Sequence, residues 1–373
     1  MRLRLVTPSL GLATVLAWAG CTAFDDAIVR GPDAGVVEPD AGGGGVISDA
    51  GCALARVPLT PPPTTLGGTE SFVVAARDVA LGALPDGGVV PTFGYDLDET
   101  CTCPTEPESC ELVGEAAKSK HCDGELGRDQ AAGRLLAQVY QQTGVDPASY
   151  INDGIARGEH GMLIRVDGYN GERNDSDVRV SVYRSIGPDR SGASAVPPTF
   201  AADETWSVDR DDLVNEATLE SKHQASGFVN DGVLVAELQT SVLPFNADAQ
   251  INLRDVKITA KVRRSDQGWE LDDMIAVGRW PVDDVLNGVA KIQRPDKPTE
   301  RLCQSAALML GVRPLVCSAT DINDSASRDR KGFPCNALST ALAFRGTPAK
   351  IGQVVTPERR DPCAGETIAP CPK

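Results

Sequence analysis

Cysteine is the residue type in this chain whose spacing most directly suggests chemistry. The stretch CTCPTEPESC places Cys101, Cys103 and Cys110 within ten residues, and Cys122 follows in the same region. Cysteines at this density either hold a zinc ion as thiolates or pair as disulfides. The spacing lacks the paired C-x2-C units of structural zinc sites, and His121 is the one imidazole beside the group. The pattern therefore favours disulfides over a metal.

The number of cysteines sharpens this interpretation. Of the 11 in the chain, Cys21 belongs to an export signal described below, which leaves ten for pairing as five disulfides. These ten form two groups of five, with no cysteine between residues 123 and 302. Because five is odd, pairing all ten within one chain requires at least one disulfide that joins the groups. The groups are Cys52, Cys101, Cys103, Cys110 and Cys122, and Cys303, Cys317, Cys335, Cys363 and Cys371.

Acidic loops make calcium the one cofactor that the sequence suggests, and no other cofactor is predicted. Calcium prefers hard oxygen ligands, and the loop NGERNDSD offers Asn174, Asp175 and Asp177 between two predicted strands. We take these three residues as the predicted calcium ligands. Acidic turns that are merely solvated give the same pattern, and none of the loops matches the EF-hand motif. Two other loops offer oxygen ligands, at Asp96, Asp98 and Glu99 and at Asp321, Asn323 and Asp324.

Residues for catalysis are sparse, and the sequence predicts no catalytic residue. It contains no G-x-S-x-G motif, and His160 and His223 are predicted to lie alone in polar loops, so no triad is indicated. In GWELDDM, Glu270 and Asp272 share one face of a predicted strand. They resemble the start of the E-x-D-x-x-E signature of sandwich-fold glycosidases, whose retaining members need two carboxyls ~5–5.5 Å apart. The second glutamate is missing, so a hairpin strand with outward polar residues is the favoured interpretation.

Short strands must position these residues. DVRVSVYRS places Val178, Val180 and Val182 on one face, as in a half-buried antiparallel strand. In INLRDVKI the apolar parity switches, which predicts a bulge near Arg254–Asp255. The predicted fold is mainly β, an antiparallel β-sandwich of jelly-roll or lectin-like type whose first and last strands are neighbours. Further strands are predicted over residues 71–81, 162–166, 232–238, 269–277 and 336–344.

Two or three short peripheral helices complete the prediction. RDQAAGRLLAQVYQQTG carries an apolar stripe, with Asp129 as the predicted N-cap and Gly144 at the end. PVDDVLNGVAKI places Pro281 at the first helical position, and a third helix is predicted over about residues 299–310. The Asp153-Gly154 pair is interpreted as a turn.

The first residues form an export signal. MRLRLVTPSLGLATVLAWAGC has a basic start and an apolar run shorter than the roughly 20 residues that span a bilayer. It ends in Ala19-Gly20-Cys21, which resembles the bacterial lipobox. The resemblance implies a signal peptide over residues 1–20 and acylation, with a palmitate-type chain, of Cys21. Thr22 in place of Asp implies sorting to the outer membrane, with the periplasmic or cell-surface side left open.

Residues 21–68 are predicted to be a flexible tether that carries the lipidated cysteine. The stretch PDAGVVEPDAGGGGVISDAGC is dominated by Gly, Pro and Asp and has too little apolar surface to fold. Residues 69–373 are then predicted to form a single disulfide-braced domain. The combination of lipobox, PDAG-type spacer and cysteine-rich β body resembles the uncharacterised cell-envelope lipoproteins of myxobacteria, a resemblance that implies no known activity.

The charge of the chain restricts its partners. The formal net charge of −16 argues against nucleic acid, which needs a basic surface. From Lys291 to the end, 13 Lys and Arg stand against 8 Asp and Glu, a net +5, so the remainder carries −21.

These observations predict a membrane-anchored lipoprotein of the outer membrane or cell surface. Its expected role is non-enzymatic envelope binding or adhesion, with an envelope polysaccharide or protein as partner. Two alternatives stay open: a surface glycan hydrolase of sandwich fold that uses Glu270 and Asp272, and a purely structural envelope component.

Overall fold

The computed structural model describes residues 54–64, 67–103, 107–119, 122–144, 146–189, 194–245, 249–294, 297, 299–359 and 361–372. The predicted signal peptide, Cys21, Cys52 and His121 lie outside these residues. Val57 falls within the predicted tether, yet it is only 5% exposed and belongs to a buried cluster. The packed body therefore begins earlier in the chain than the predicted boundary at residue 69.

The strands of the described residues are β1 (Glu70–Ala80), β2 (Gly161–Tyr169), β3 (Asp175–Ser185), β4 (Thr205–Asp209), β5 (Leu213–Asn215), β6 (Glu220–Ser221), β7 (His223–Asn230), β8 (Val233–Pro244), β9 (Gln250–Ser265), β10 (Gly268–Pro281) and β11 (Ala337–Val355). Eight of them form an antiparallel sheet in the order β1-β2-β3-β7-β8-β9-β10-β11, and β11 also pairs with β1, which closes the sheet into a barrel. A ninth strand, β4, adds to the outside of β11 in parallel, and β5 pairs with β6 separately.

The predicted β-sandwich is therefore wrong. β11 is 19 residues long, and it pairs with β10 from Ala337 to Gly346 and with β1 from Ala343 to Ala349. One strand thus joins the two ends of the sheet, which removes the edges that a sandwich would keep. The prediction that the first and last strands are neighbours is confirmed by the β1–β11 pairing.

Apolar side chains fill the barrel and also cover part of its outside. One buried cluster draws on all eight barrel strands, with members such as Val74, Ile164 and Val180 that are essentially unexposed. A second cluster packs Phe93 and Leu97, from the segment after β1, against the other face of β10 and β11. Strands of this region are consequently buried on both faces.

Bulges bend the barrel strands where an aspartate takes a left-handed conformation. Asp255 has φ 48°, and the β9–β10 register shifts beside it. This confirms the bulge predicted near Arg254–Asp255. Asp78 and Asp273 have φ of 55° and 46° at equivalent shifts in β1 and β10.

Four α-helices lie among the described residues: α1 (Ala131–Thr143), α2 (Pro147–Ala156), α3 (Val282–Ala290) and α4 (Ala306–Ser318). Helix α1 ends at Gly144, as predicted, with φ 70°, but its N-cap is Gln130 and not Asp129. Pro281 is the N-cap of α3, one position before its predicted place. None of the helices described here is long and apolar enough to cross a membrane.

The sequence interpretation missed α2 and misplaced α4. Asp153 and Gly154 lie inside α2 and form no turn. The start of that helix carries the usual signals, because the Asp146 side chain accepts the N–H of Ala148 and Pro147 follows it. Helix α4 begins about seven residues after the predicted start at residue 299.

The disulfides join segments that lie outside the barrel strands. Cys110 bonds Cys335 across 225 residues, which confirms the predicted disulfide between the two cysteine groups. Cys101 is also disulfide-bonded, whereas Cys122 is an exposed thiol in this structure. The other disulfides described here are Cys303–Cys363 and Cys317–Cys371.

Candidate metal centre

The loop of residues 94–100 lies across the outside of the barrel and is fixed at its centre. The Leu97 side chain is buried, and the Leu97 N–H donates to Asp129 Oδ2 at 2.6 Å. The Leu97 carbonyl accepts from Nη2 of Arg279 on β10 at 2.7 Å. Because both sides of this peptide are held, the two aspartates that flank Leu97 have a fixed position.

Those two aspartates and Asp129 form a carboxylate cluster. Asp96, Asp98 and Asp129 each offer one oxygen, and the three oxygens lie within 4.8 Å of one another. Asp96 and Asp129 are only 3% and 2% exposed, while Asp98 is half-buried. Like charges this close in a buried place repel strongly unless a proton or a cation is present.

One oxygen of this cluster has no hydrogen-bond donor. Asp96 Oδ1 accepts the N–H groups of Asp98 and Glu99 at 3.2 and 2.8 Å. Asp96 Oδ2 is buried and has no hydrogen-bond partner among the described residues. A buried carboxylate oxygen left in this way is costly, and a coordinated cation would satisfy it.

Burial and neighbouring carboxylates raise the pKa values of the group. Burial raises the pKa of Asp96 to about 6, although the N–H groups of Glu99 and Asp98 oppose it. Burial also raises the pKa of Asp98 to about 8, and the charges of Asp123 and Asp329 add to this effect.

The pKa values of Asp123 and Asp129 are raised as well. Burial raises the pKa of Asp123 to about 8, and the charge of Asp321 adds to it. Burial raises the pKa of Asp129 well above its usual range, with added repulsion from Asp98, Asp123 and Asp321. Without a cation, Asp98, Asp123 and Asp129 therefore keep their protons to a higher pH than an ordinary aspartate does.

Two nearby arginines pair with Asp329 and Asp321 and not with the central three carboxylates. Arg279 is 2% exposed, and its Nη1 lies 2.5 Å from Asp329 Oδ2. Arg134 Nη2 lies 3.7 Å from Asp321 Oδ2. Within the part of the chain described here, Asp96, Asp98 and Asp129 form no ion pair with a Lys, Arg or His.

The donor set identifies the kind of ion that would fit. Asp96, Asp98 and Asp129 supply only hard oxygen atoms, which suit Ca²⁺, whereas Zn²⁺ and Cu⁺ favour nitrogen and sulfur. Mg²⁺ keeps most of its water and is rarely held by an all-protein site. The cluster is therefore a candidate calcium centre.

The hairpin predicted to bind calcium uses its oxygens differently. Asp175 accepts the N–H of Asn170 at 2.7 Å through Oδ2 and that of Asp177 at 3.1 Å through Oδ1. Asn174 Oδ1 accepts the N–H of Asp231 at 2.8 Å, and Asp177 is exposed. Asn174 and Asp175 thus shape the turn between β2 and β3. Calcium binding by Asn174, Asp175 and Asp177 stays a prediction.

The third acidic loop supports β11. Asp321 accepts the N–H of Ser339 at 2.9 Å and its hydroxyl at 2.5 Å, both on β11. Asp324 pairs with Arg254 on β9. Asp321 therefore contributes its charge to the neighbourhood of the carboxylate cluster while its oxygens hold a strand.

The chain was also compared with known proteins. No protein-family model, no curated protein and no solved structure matches it. The function has to be argued from the donors and charges of the site itself.

The carboxylates considered for glycan hydrolysis are held by an arginine. Arg263 Nη2 lies 2.9 Å from Glu270 Oε2 and 2.8 Å from Asp272 Oδ2. Burial raises the pKa of Glu270, but hydrogen bonds from Ser265 and Arg263 outweigh it and lower the pKa overall. A catalytic acid needs a raised pKa, so this pair is not arranged as acid and nucleophile.

The two histidines considered for a triad were predicted to lie alone in polar loops, whereas the structure buries both: His160 in the connection between α2 and β2, and His223 at the start of β7. His160 is 4% exposed, and its Nε2 is 3.2 Å from the Ile151 carbonyl of α2. His223 begins β7, with Nδ1 3.1 Å from the Thr240 carbonyl. Burial lowers the pKa of both rings, and both pack as structural residues.

The sequence indicated the loop with Asp96 and Asp98 as an alternative source of calcium ligands but did not connect it with Asp129. Asp129 lies 32 residues from Leu97, and its place before an apolar stripe suggested a helix cap. The signal that could have indicated the cluster is the pair of aspartates on each side of Cys101–Cys122: Asp96 and Asp98 before it, and Asp123 and Asp129 after it.

Proposed function

We propose that this protein is an exported cell-envelope lipoprotein whose barrel domain binds calcium and serves non-enzymatic binding in the envelope. The observation that carries calcium binding is the buried Asp96 Oδ2, which lacks a donor and lies beside the carboxylates of Asp98 and Asp129. Export and anchoring are supported by the lipobox-like sequence at Cys21 and by the disulfides, which persist in oxidising compartments.

The ion would link the loop of residues 94–100 to the segment that precedes α1. The Asp129 N–H donates to the Tyr95 carbonyl at 3.2 Å, and the Asp129 side chain accepts from Leu97, so this residue links the loop of residues 94–100 to the start of α1. The loop covers part of the outer face of the barrel. A cation shared by the carboxylates of the two segments replaces repulsion with attraction. Calcium that binds only the folded state stabilises it by about 2.7 kcal/mol at 100 times the dissociation constant. Extracellular calcium modules work with dissociation constants of roughly 10⁻⁴ to 10⁻³ M.

Binding is favoured over catalysis because Glu270 and Asp272 are both engaged by Arg263. The expected partner is an envelope polysaccharide or protein, met by a rigid barrel whose surface loops a calcium ion keeps in place. This role matches an anchored domain that is braced by disulfides.

Calcium titration of the full chain tests the proposal. After treatment with EDTA, calcium should raise the unfolding temperature by about 5 °C or more, and magnesium should raise it less. Asp96→Asn should remove the calcium effect. Asp175→Asn is the matched control, because it changes the other predicted loop and should keep the effect. An effect lost only in Asp175→Asn would move the site to the hairpin, and no effect in the wild-type chain would refute calcium binding.

A second assay separates binding from hydrolysis. The wild-type chain and the Glu270→Gln variant are incubated with envelope and capsule polysaccharides, and both retention and released sugars are measured. Equal retention without release supports a binding module. Sugar release by the wild type that Glu270→Gln abolishes would contradict it.

A further inference from the structure

Two short segments of the chain meet beside the carboxylate cluster. The Thr102 N–H donates to Asp123 Oδ2 at 2.6 Å, and the Asp123 N–H donates to the Thr102 carbonyl at 3.1 Å. Both backbone groups of Thr102 therefore bond one residue, as they do in a hydrogen-bonded pair of antiparallel segments. In such a pairing the residue after Thr102 lies across from the residue before Asp123. Those two residues are Cys103 and Cys122.

Cys103 and Cys122 both carry thiols in this structure. In regular antiparallel geometry, the pair that follows a hydrogen-bonded pair has Cα atoms about 4.5 Å apart. This spacing lies within the roughly 4.4–6.8 Å that disulfides span. Cys122 is exposed and Cys103 is half-buried, so an oxidant in solution meets Cys122 first.

The backbone at Cys103 points to a constraint on this residue. Cys103 has φ 44°, a left-handed conformation that residues with a Cβ rarely adopt. A conformation of this kind persists only where the surrounding structure imposes it. A covalent bond from the Cys103 side chain to the facing segment would supply such a constraint.

The segment that carries Cys122 also affects the charges of the site. Arg134 Nη1 of α1 donates to the Cys122 carbonyl at 2.7 Å, which holds the segment against the helix. Burial raises the pKa values of Asp98 and Asp129, and the nearby charge of Asp123 adds to both shifts. A bond at Cys122 therefore acts next to a carboxylate that influences two of the three candidate calcium ligands.

We propose that Cys103 and Cys122 are a redox-reactive dithiol, and that the disulfide between them raises the calcium affinity of the carboxylate cluster. The inference rests on the proposed calcium binding. The bond fixes Asp123 against the segment of Thr102 before the ion arrives. Less ordering is then left for the binding step, and preorganisation of this kind increases affinity.

The oxidant is a second disulfide, such as that of oxidised glutathione. The Cys122 thiolate attacks one sulfur of that disulfide, which gives a mixed disulfide and releases one thiol. The Cys103 thiolate then attacks Cys122 Sγ, forms the Cys103–Cys122 bond and releases the second thiol. The two cysteines lose two protons and two electrons, and the two sulfurs of the oxidant gain them.

Mass spectrometry of the full chain after treatment with oxidised glutathione and then a maleimide tests the bond. Trypsin releases Cys122 in the peptide of residues 121–128. In the wild-type chain this peptide should carry neither glutathione nor maleimide and should be linked to Cys103. In Cys103→Ser it should keep glutathione, because the second attack is lost. Equal modification of Cys122 in both chains overturns the proposal, as does a bond from Cys122 to another cysteine or to a second chain.

Calorimetric titration tests the effect on calcium. The double variant Cys103→Ser with Cys122→Ser should bind calcium about threefold or more weakly than the oxidised wild-type chain. Dithiothreitol should weaken binding by the wild type more than by the double variant, which corrects for reduction of the other disulfides. Equal affinities of the two oxidised chains overturn the coupling.

The two assays together separate this inference from the proposed function. An oxidised wild-type chain that binds calcium but keeps both thiols refutes the disulfide alone. A chain that forms the bond between Cys103 and Cys122 but binds no calcium refutes the proposed calcium site, and with it the coupling.

Discussion

Asp129 accepts the backbone N–H of Leu97 at 2.6 Å, and this hydrogen bond decides how the carboxylate cluster is built. It places a residue that precedes helix α1 against a loop 32 residues earlier in the chain. The same carboxylate adds its charge to those of Asp96 and Asp98. Asp129 therefore combines two roles, one of shape and one of charge, and substitutions separate them.

Asp129→Asn keeps an oxygen that can accept from Leu97 but removes the charge. In EDTA at pH 8 we expect the free energy of unfolding to rise, because the amide, unlike the carboxyl, needs no proton to be buried beside Asp96 and Asp98. Calcium affinity should fall at least tenfold, or about 1.4 kcal/mol. Urea unfolding and calorimetric titration measure the two effects. Asp129→Ala, which loses both roles, should lower stability as well as affinity. Lower stability of Asp129→Asn with unchanged calcium affinity would show a purely structural residue.

The pH dependence of stability should invert the common pattern for carboxylates. Unfolded aspartates titrate near pH 4, whereas the pKa is about 6 for Asp96 and about 8 for Asp98 and Asp123. The folded state thus retains protons that the unfolded state releases, so in EDTA the contribution of these three groups to stability is fully present below about pH 4 and is lost as the pH rises to about 8. Calcium should offset this loss, and its affinity should rise from pH 6 to pH 8.

Thermal unfolding between pH 5 and 8.5, with EDTA or calcium, measures this profile. Asp98→Asn serves as the control, since removing one of the raised carboxyls should flatten the curve in EDTA. A wild-type curve that is flat or rising in EDTA would contradict the proposed repulsion.

Local features of the fold followed from the sequence. The parity switch near Arg254–Asp255 marked a bulge because each extra residue turns the side chains to the opposite face. Pairing of all ten cysteines would require a link between the two groups, and the link Cys110–Cys335 is present although Cys122 is an exposed thiol. These inferences depend on neighbours in the chain or on counting.

Closure of the barrel and assembly of the carboxylate cluster could not be predicted from the sequence. A period of two is the same in a sandwich and in a barrel, and only the double pairing of β11 separates them. The cluster depends on a contact between Leu97 and Asp129 across 32 residues. Nothing in either local sequence specifies that contact, and the position of Asp129 matched a helix cap equally well.

The disulfide between Cys110 and Cys335 should stabilise both the fold and the carboxylate cluster. It closes a loop of 225 residues, for which loop-closure entropy gives at most about 5 kcal/mol. Removing it by Cys110→Ala with Cys335→Ala should cost a large part of that value in urea unfolding. Calcium affinity should fall too, because Ser109, next to Cys110, donates to Asp329 at 2.8 Å beside the cluster.

The double variant Cys303→Ala with Cys363→Ala is the matched control, since it opens a disulfide of separation 60 near α4. It should lower stability by a similar order and leave calcium affinity unchanged. Equal loss of affinity in both variants would mean that the effect is general destabilisation.

Two helical glycines should respond oppositely to alanine. Alanine is favoured over glycine in helices by up to about 1 kcal/mol, and at Gly311 of α4 an added Cβ meets nothing within 4 Å. At Gly154 of α2 the Cβ would lie 1.9 Å from His160 Cε1. We therefore expect Gly311→Ala to stabilise by about 0.5–1 kcal/mol and Gly154→Ala to destabilise by about 1–3 kcal/mol. In urea unfolding, adding His160→Ala to each single variant should recover stability only with Gly154→Ala, and a stabilising Gly154→Ala would show that the ring does not press on the helix.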